Sequence, residues 1–286
     1  MINISVPNYY GKCDIIMAFA RMQQESPEVF LPNRRLHSAY GFPPDLIWNG
    51  GRVSFSHIMD PLQQYALFED YCEHGIVLKH TCTNRFITAS MLQDYLCNSW
   101  LKYCEREGHY VTVYSPLLEQ HVRTNFPKYN ITHSATKLLT NIDTINQLSA
   151  QDTVVIDYNL NKDEYLAQFI YPENIEILVG EPCILNCPQR KAHYESISRH
   201  QLHEPNTDVL LCPFEDQKPR NIYEYLQLPH AISNKTIDEW YNKYHIQNYK
   251  ISGRKLSEVQ HIEILLYYLI RPEYRDEIRQ QLLWTP

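Results

Sequence analysis

The stretch Ile175-Glu-Ile-Leu-Val179 has the composition of a buried β-strand. A loop with two cysteines follows it, and then a helical pattern runs from about Gln189 to Ile197. Short apolar runs of this kind are typical of strands in a sheet that helices cover on both faces. The order strand, loop, helix is the repeating unit of a parallel α/β protein. The stretch therefore predicts one β/α unit, with both thiols in the loop at the carboxyl end of the strand.

Similar strand-like runs recur along the chain, and most of them precede a helical pattern. They cover residues 2–6, 45–48, 75–80, 109–114, 130–134, 153–157 and 248–252. Helical patterns cover 62–71, 90–107, 117–125, 142–148 and 256–269, and another begins at 163. Eight alternating units predict a parallel sheet with right-handed crossovers. They fit closure into a (β/α)8 barrel of the TIM type, which we expect to be irregular in places. A doubly wound open sheet is the alternative.

The length and composition are those of a globular protein, and we expect one barrel domain over residues 1–286. An irregular, proline-containing insertion at about 23–44 interrupts it and is expected to act as a lid or a partner surface. The chain of 286 residues is 44% hydrophobic and 21% charged, with a net charge of -7. This charge argues against a general nucleic-acid or membrane-binding surface. There is no run of 18 apolar residues and no signal-peptide pattern, so we expect a cytoplasmic protein.

The cysteines are the strongest chemical signal in the sequence. In a cytoplasmic protein, the eight cysteines are expected to be free or metal-binding rather than disulfide-bonded. Cys183 and Cys187 share one proline-flanked loop, and Cys212 ends a later apolar run, so three thiols could meet at the barrel mouth. Four cysteines would hold an iron–sulfur cluster, and three would leave one iron open. Zinc is the competing metal, and small buried thiols without a metal are the third interpretation. A fourth ligand could come from Cys97, Cys82 or Cys104.

Polar side chains also accumulate where the predicted strands end. Lys250 and Arg254 follow or end the last strand, and they are candidates for binding an anionic group of a substrate. Asn84 and Asp157 follow two other strands and are candidates for orienting that substrate. The alternative for each cation is a helix cap or a surface salt bridge. The sequence contains no G-x-G-x-x-G, P-loop or H-E-x-x-H motif, so it supports neither nucleotide binding by these motifs nor a zincin.

The segment Tyr249-Lys-Ile-Ser-Gly-Arg254 resembles the F-K-I-E-G-R segment of the peptidase U32 family, with Ser252 where that pattern has Glu. A helix with Tyr267-Tyr268 and then Tyr274-Arg275 follows it, and the cysteine loop resembles the cysteine-rich region of the same family. The resemblance implies a divergent U32-like TIM barrel with a [4Fe-4S] cluster held by four cysteines. By position, it implies Cys183, Cys187 and Cys212 as ligands, with Cys97 as our choice for the fourth.

The resemblance also implies a function. Members of that family, despite the peptidase name, are associated with oxygen-independent hydroxylation of transfer RNA, ribosomal RNA or a quinone precursor, and some work as heterodimers. The leading hypothesis is therefore an iron–sulfur enzyme that modifies a small molecule or a nucleic-acid base in the barrel mouth. The alternatives are a zinc-stabilised barrel without a redox role and a metal-free barrel that serves as a non-catalytic partner subunit.

Overall fold

Eight parallel strands form a closed barrel in the computed structural model, which describes residues 1–50, 59–204, 210–253 and 256–284. Each strand pairs with the next one along the chain, and the eighth pairs with the first through Asn3 and Asn248, Ile4 and Tyr249, and Ser5 and Lys250. This closure confirms the predicted TIM-type barrel and excludes the open sheet. Over the described ranges, none of the helices has the length and apolar character that crossing a lipid bilayer requires.

The strands and helices alternate along the chain. The strands are β1 (Ile2–Pro7), β2 (Arg34–Gly41), β3 (Val77–Cys82), β4 (Tyr110–Val113), β5 (Asn130–His133), β6 (Thr153–Val155), β7 (Ile175–Val179) and β8 (Asn248–Ile251). The helices are α1 (Cys13–Glu25), α2 (Pro61–Glu73), α3 (Tyr95–Tyr103), α4 (Pro116–Asn125), α5 (Ile142–Ser149), α6 (Asp163–Leu166), α7 (Arg190–Gln201), α8 (Ile222–Tyr225), α9 (Asn234–Tyr244), α10 (Glu258–Leu269) and α11 (Arg275–Trp284). Short 3-10 turns lie between several of these elements.

The second strand differs from its prediction. Residues 45–48 form a turn, whereas β2 lies within the segment that was expected to be an irregular insertion. That segment also contains the end of α1, so it is part of the barrel framework. The strand was missed because it begins with two arginines instead of an apolar run. Arg34 is nevertheless buried, since its guanidinium donates to Asp238 Oδ1 at 2.7 Å and to the Asn234 carbonyl at 2.9 Å.

Residues along each strand alternate between the barrel interior and the layer of helices. On β7, Ile177 and Val179 belong to the hydrophobic core between barrel and helices, whereas Glu176 is buried beside lysines of other strands. On β8, Tyr249 likewise belongs to that core, whereas Lys250 lines the central cavity. The period of two follows from the pleat of a β-strand. The hydrophobic core is therefore outside the barrel, and the barrel interior is largely polar.

Polar caps determine where several helices begin. Asp60 and Ser257 each form a capping box with the glutamine three residues later, and the Ser115 hydroxyl accepts from the Leu118 amide. These contacts satisfy backbone amides that have no partner within the helix. In a (β/α)8 barrel the helices begin on the side where the strands end. The caps thus fix the loops that surround the barrel mouth.

Candidate functional site

A cavity of about 680 Å³ opens at the carboxyl ends of the strands. Its walls come from inward-facing strand residues, from the loop after β7 and from the segment before α8. The strand residues are Tyr40, Thr81, Thr112, Val155, Leu178 and Lys250, and the loop residues include Thr83, Ser134, Glu181, Cys183, Arg190, Lys218 and Ser252. Active sites of TIM barrels lie at this end, so the cavity is the candidate active site.

Four side chains from alternate strands form the floor of the cavity. They are Tyr40 on β2, Thr112 on β4, Val155 on β6 and Lys250 on β8. Side chains inside such barrels stack in layers of four from alternate strands. The Lys250 ammonium lies 3.9 Å from the centroid of the Tyr40 ring, and the Tyr40 hydroxyl donates to the Ile251 carbonyl at 2.7 Å. Lys250 was predicted to bind an anion, and its place on the floor is compatible with that role.

A buried acid lies next to this lysine inside the barrel. Glu176 on β7 accepts from the Lys79 ammonium at 2.5 Å through Oε1, while its Oε2 lies 4.0 Å from the Lys250 ammonium. Burial alone would raise the pKa of Glu176, but the two lysines outweigh it and hold the pKa below its ordinary value. Burial lowers the pKa of the neighbouring His37 to about 4. At neutral pH this group therefore contains two cations and one anion.

Several hydroxyl groups around the cavity lack a hydrogen-bond partner among the described residues. Three of these hydroxyl groups, on Thr81, Thr83 and Thr112, belong to residues that line the cavity. The Thr132 hydroxyl on β5 also lacks a described partner, but Thr132 does not line the cavity. Buried polar groups in proteins nearly always have a partner, either protein or bound molecule. The cavity therefore has hydrogen-bonding capacity for a ligand or ordered water.

Arg190, at the start of α7, forms one wall of the cavity. Its Nη1 donates to Asp157 Oδ2 at 2.7 Å, its Nε donates to the Tyr194 hydroxyl at 3.0 Å, and its guanidinium stacks 4.1 Å from the Tyr158 ring centroid. Nη2 has no partner among the described residues. Asp157 also accepts from the Asn159 amide at 2.9 Å. Asp157, predicted to orient a substrate, thus acts on the cavity through Arg190.

The loop after β7 supplies a carboxylate and a thiol. Glu181 accepts from the Ser252 hydroxyl at 2.9 Å and from the Cys183 amide at 3.2 Å. Cys183 lines the cavity, and the Cys187 thiol lies beside it. Burial, then the charge of Glu181 and the neighbouring thiol, raise the pKa of Cys183 to about 11. The Cys183 thiol is therefore protonated at neutral pH unless a metal displaces its proton.

Cys212 lies on the same side of the barrel mouth. Its thiol contacts the ammonium of Lys218, which lines the cavity, and the nearby Leu210 carbonyl is 2.9 Å from Nε2 of His193 on α7. Cys212 and the Cys183 loop thus border one sector of the cavity. Nevertheless, no group of three described His, Cys, Asp or Glu ligand atoms within 4.8 Å of one another includes these thiols. They are not arranged around a single ion.

The structure does not bring Cys97 to the other three cysteines. Cys97 is fully buried on α3, which follows β3, and its neighbours are Asp94 and the Trp48 backbone. Since β3 and β7 lie four positions apart in the ring of eight strands, Cys97 and Cys183 are on opposite sides of the barrel. Burial raises the pKa of Cys97 well above its ordinary value. Cys97 therefore lies in the hydrophobic core, apart from the loop that contains Cys183, and its choice as the fourth ligand stays a prediction.

Asn84 also has a structural environment. Its Nδ2 donates to the Ile47 carbonyl at 3.2 Å and to the Ser198 carbonyl at 3.0 Å, and its Oδ1 accepts from the Phe86 amide at 3.0 Å. It is fully buried and is not among the cavity-lining residues. Asn84 therefore joins loops rather than facing a substrate. Arg254, the second predicted anion contact, lies outside the described residues.

One group of potential metal ligands is found away from the cavity. Glu119, His133 and Asp152 offer ligand atoms within 4.8 Å of one another. However, Lys137 lies 2.9 Å from His133 Nδ1 and 3.5 Å from Glu119, and Arg123 donates to both carboxylates. Two cations thus already balance the two acids. We assign this group a structural role.

The barrel has a counterpart among solved structures. It is similar to a solved structure described as "The Structure of the U32 Peptidase Mk0906", with a TM-score of 0.52, over 88% of this chain and 94% of that chain. The sequences are 12% identical, so the similarity concerns the fold. The U32-like barrel expected from the sequence is confirmed at that level. No family model and no curated protein matches the chain.

Sequence reasoning missed Glu176, Glu181 and the cavity threonines, and it left Arg190 open between a solvated cation and an anion contact. A signal for the interior residues was present, because single polar residues interrupt apolar strands in Ile-Glu-Ile on β7 and in Val-Thr-Val on β4. With a period of two, such a residue faces away from the hydrophobic layer. Inside a closed barrel it must point to the interior. Arg190 had no comparable signal, since a cation at a helix start is ordinarily solvated.

Proposed function

We propose that this protein is an enzyme with a U32-like barrel that acts on a small molecule or a nucleic-acid base held in the mouth cavity. The observation that supports this proposal is that Cys183, Lys250 and Arg190 line the same cavity. A thiol that can bind metal, a lysine and a buried arginine therefore face one enclosed space.

The proposed cofactor is an iron–sulfur cluster held by Cys183, Cys187 and Cys212. The donor set fits a cluster better than a single zinc ion, because a cluster spreads its ligands over several iron atoms, whereas a zinc ion needs its ligands around one centre. With three cysteines, one iron would remain open towards the cavity. When bound, such a cluster supplies electron transfer or a Lewis-acidic iron.

The chain's own residues would bind and orient the substrate. Lys250 would hold an anionic group on the cavity floor, and Arg254 remains a predicted second contact. Arg190 is fixed by Asp157 and Tyr194, so it would present a rigid planar donor. Glu181 is held by Ser252 at the cavity edge, where its carboxylate could accept a proton from a bound molecule.

Metal analysis of protein purified without oxygen tests the proposal. We expect iron and sulfide in matching amounts and a thiolate-to-iron absorption band near ~400 nm. Cys183→Ser and Cys187→Ser should each remove most of the metal and the colour. Cys72→Ser is the matched control, because this half-buried thiol on α2 also has a pKa of about 11, raised first by burial, but lies outside the cavity lining.

Each outcome has a definite meaning. Metal loss in the two cavity-loop variants with retention in Cys72→Ser would support the cluster. Retention of metal and colour in Cys183→Ser would refute it. A colourless protein with one equivalent of zinc would favour the zinc-stabilised barrel, and a folded protein without metal would favour a non-catalytic partner subunit, for example in a heterodimer.

A further inference from the structure

The cavity floor carries an excess of positive charge. Lys79, Lys250 and Glu176 form one buried group, in which the side chains are 4%, 8% and 0% exposed. Lys79 makes the short contact with the carboxylate, at 2.5 Å, whereas Lys250 lies 4.0 Å away. The two lysines and the one glutamate together carry a net charge of one positive unit. Because the three groups together carry more positive than negative charge, an anion bound beside Lys250 would stabilise them.

Two buried hydroxyl groups line the same cavity as Lys250. Thr112 on β4 and Thr81 on β3 are both 98–99% buried and line the cavity, and neither Oγ1 has a partner among the described residues. The two threonines are register partners on neighbouring strands. An oxyanion accepts hydrogen bonds from hydroxyls and ammonium groups alike. The floor thus combines a net positive charge with hydroxyl donors that have no other acceptor.

We propose that the cavity floor is an oxyanion-binding site, in which the carboxylate or phosphate group of the substrate lies between the Lys250 ammonium and the hydroxyls of Thr112 and Thr81. This assignment rests on the proposed function, because it names the substrate class for the same cavity. It extends the anion-binding role predicted for Lys250 by two further contacts, Thr112 and Thr81, and by the charge balance with Glu176. The substrate is therefore a small molecule with an oxyanion at the end that enters the cavity first. A neutral base without such a group would leave the Lys250 ammonium and the two hydroxyls without an anionic partner.

Binding of simple anions tests the site without knowledge of the substrate. The probes are inorganic phosphate and acetate, which separate a phosphate from a carboxylate preference, with chloride at equal ionic strength as the reference. Isothermal titration calorimetry on the full chain gives the Kd. We expect saturable binding of at least one probe, and about tenfold weaker binding in Lys250→Met and in Thr112→Val.

Matched controls separate this effect from general damage to the barrel. Thr132→Val removes another buried hydroxyl without a described partner, on the neighbouring strand β5 but outside the cavity lining. Lys12→Met removes a lysine whose side chain is 16% exposed and pairs with Glu258 at 3.5 Å. Both controls should keep the wild-type Kd. Circular dichroism would confirm that each variant is folded.

The result can overturn the oxyanion site independently of the metal. Absence of saturable binding of either probe to the folded wild type, or an unchanged Kd in both Lys250→Met and folded Thr112→Val, would refute it. Wild-type protein freed of metal by a chelator should still bind the probes, because no cysteine belongs to the floor. Normal anion binding by a protein that is purified without iron would therefore refute the cluster alone. A normal iron content without anion binding would refute the oxyanion site alone.

Discussion

Replacement of Glu176 by glutamine tests the charge balance inside the barrel most directly. In the group formed by Lys79, Lys250 and Glu176, the change replaces the carboxylate by a neutral amide. Lys79 then loses the charged acceptor, Glu176 Oε1, to which it donates at 2.5 Å. Breaking a fully buried ion pair by removing one partner costs about 3–5 kcal/mol, because an uncompensated charge stays in a low-dielectric interior. Two lysines are left here, so we expect a loss of at least about 3 kcal/mol in the free energy of unfolding.

Urea unfolding followed by circular dichroism measures this loss, and a thermal scan should show a Tm lower by about 6 °C or more. The matched control is Glu239→Gln, which breaks an exposed pair with Lys235 whose side chains are 86% and 59% exposed. An exposed pair contributes about 0–1 kcal/mol, so the control should stay near the wild type. A loss below about 1 kcal/mol in Glu176→Gln would refute the assigned energetic role.

The same variant makes an opposite prediction for anion binding. Without Glu176, Lys250 on the floor and Lys79 next to it have no carboxylate between them, so phosphate should bind more tightly than to the wild type and should restore part of the lost stability. A ligand at a hundred times its Kd stabilises the folded state by about 2.7 kcal/mol. Equal stabilisation of wild type and Glu176→Gln by phosphate would contradict the idea that this acid sets the charge of the floor.

Three further measurements follow from the contacts described above. The pKa of Glu176 in the folded protein lies below its ordinary value, so the ionised carboxylate stabilises the protein at neutral pH. This contribution is lost as the pH falls through the folded pKa. In a pH series of urea midpoints, the wild type should therefore lose stability in acid more steeply than Glu176→Gln. Asn84→Ala removes a side-chain amide that donates to three backbone carbonyls and should cost about 1–3 kcal/mol in the same assay. An unchanged midpoint would argue against its structural role. Iodoacetamide should label metal-free Cys183 slowly at pH 7 and faster towards its pKa of about 11, whereas Cys97 should react only after unfolding, as peptide mass spectrometry can check.

Seven of the eight strands were predictable from local composition. β7 and β4 stand out because apolar residues recur every second position, and the outer faces of these strands are buried by helices. β2 could not be found in this way, since its first residues are Arg34 and Arg35. Arg34 is tolerated there because Asn234 and Asp238, which lie 200 and 204 residues later, supply its partners. A local window of sequence contains no trace of such a contact.

The candidate site was predictable in part, and topology explains the rest. The strand ends correctly indicated the barrel mouth, which is where the structure has its cavity, lined by Cys183 and Lys250. The predicted fold already separates Cys97, the choice for the fourth ligand, from the cysteine loop. A helix that follows the third strand of an eight-stranded barrel lies opposite the loop that follows the seventh, so sequence order alone gives Cys97 a different side of the barrel.

The polar interior of the barrel also bears on what this protein does. A barrel optimised for stability would fill its interior with branched apolar side chains, as the layer outside the strands is filled here. This chain instead buries Lys79, Glu176 and Lys250, although well-packed apolar residues are often at least as stabilising as a buried ion group. Local choices that reduce stability without a structural gain tend to mark functional sites. Lys250, which borders the cavity, is in the position where a bound anion would contact it, whereas Lys79 makes the short contact with Glu176.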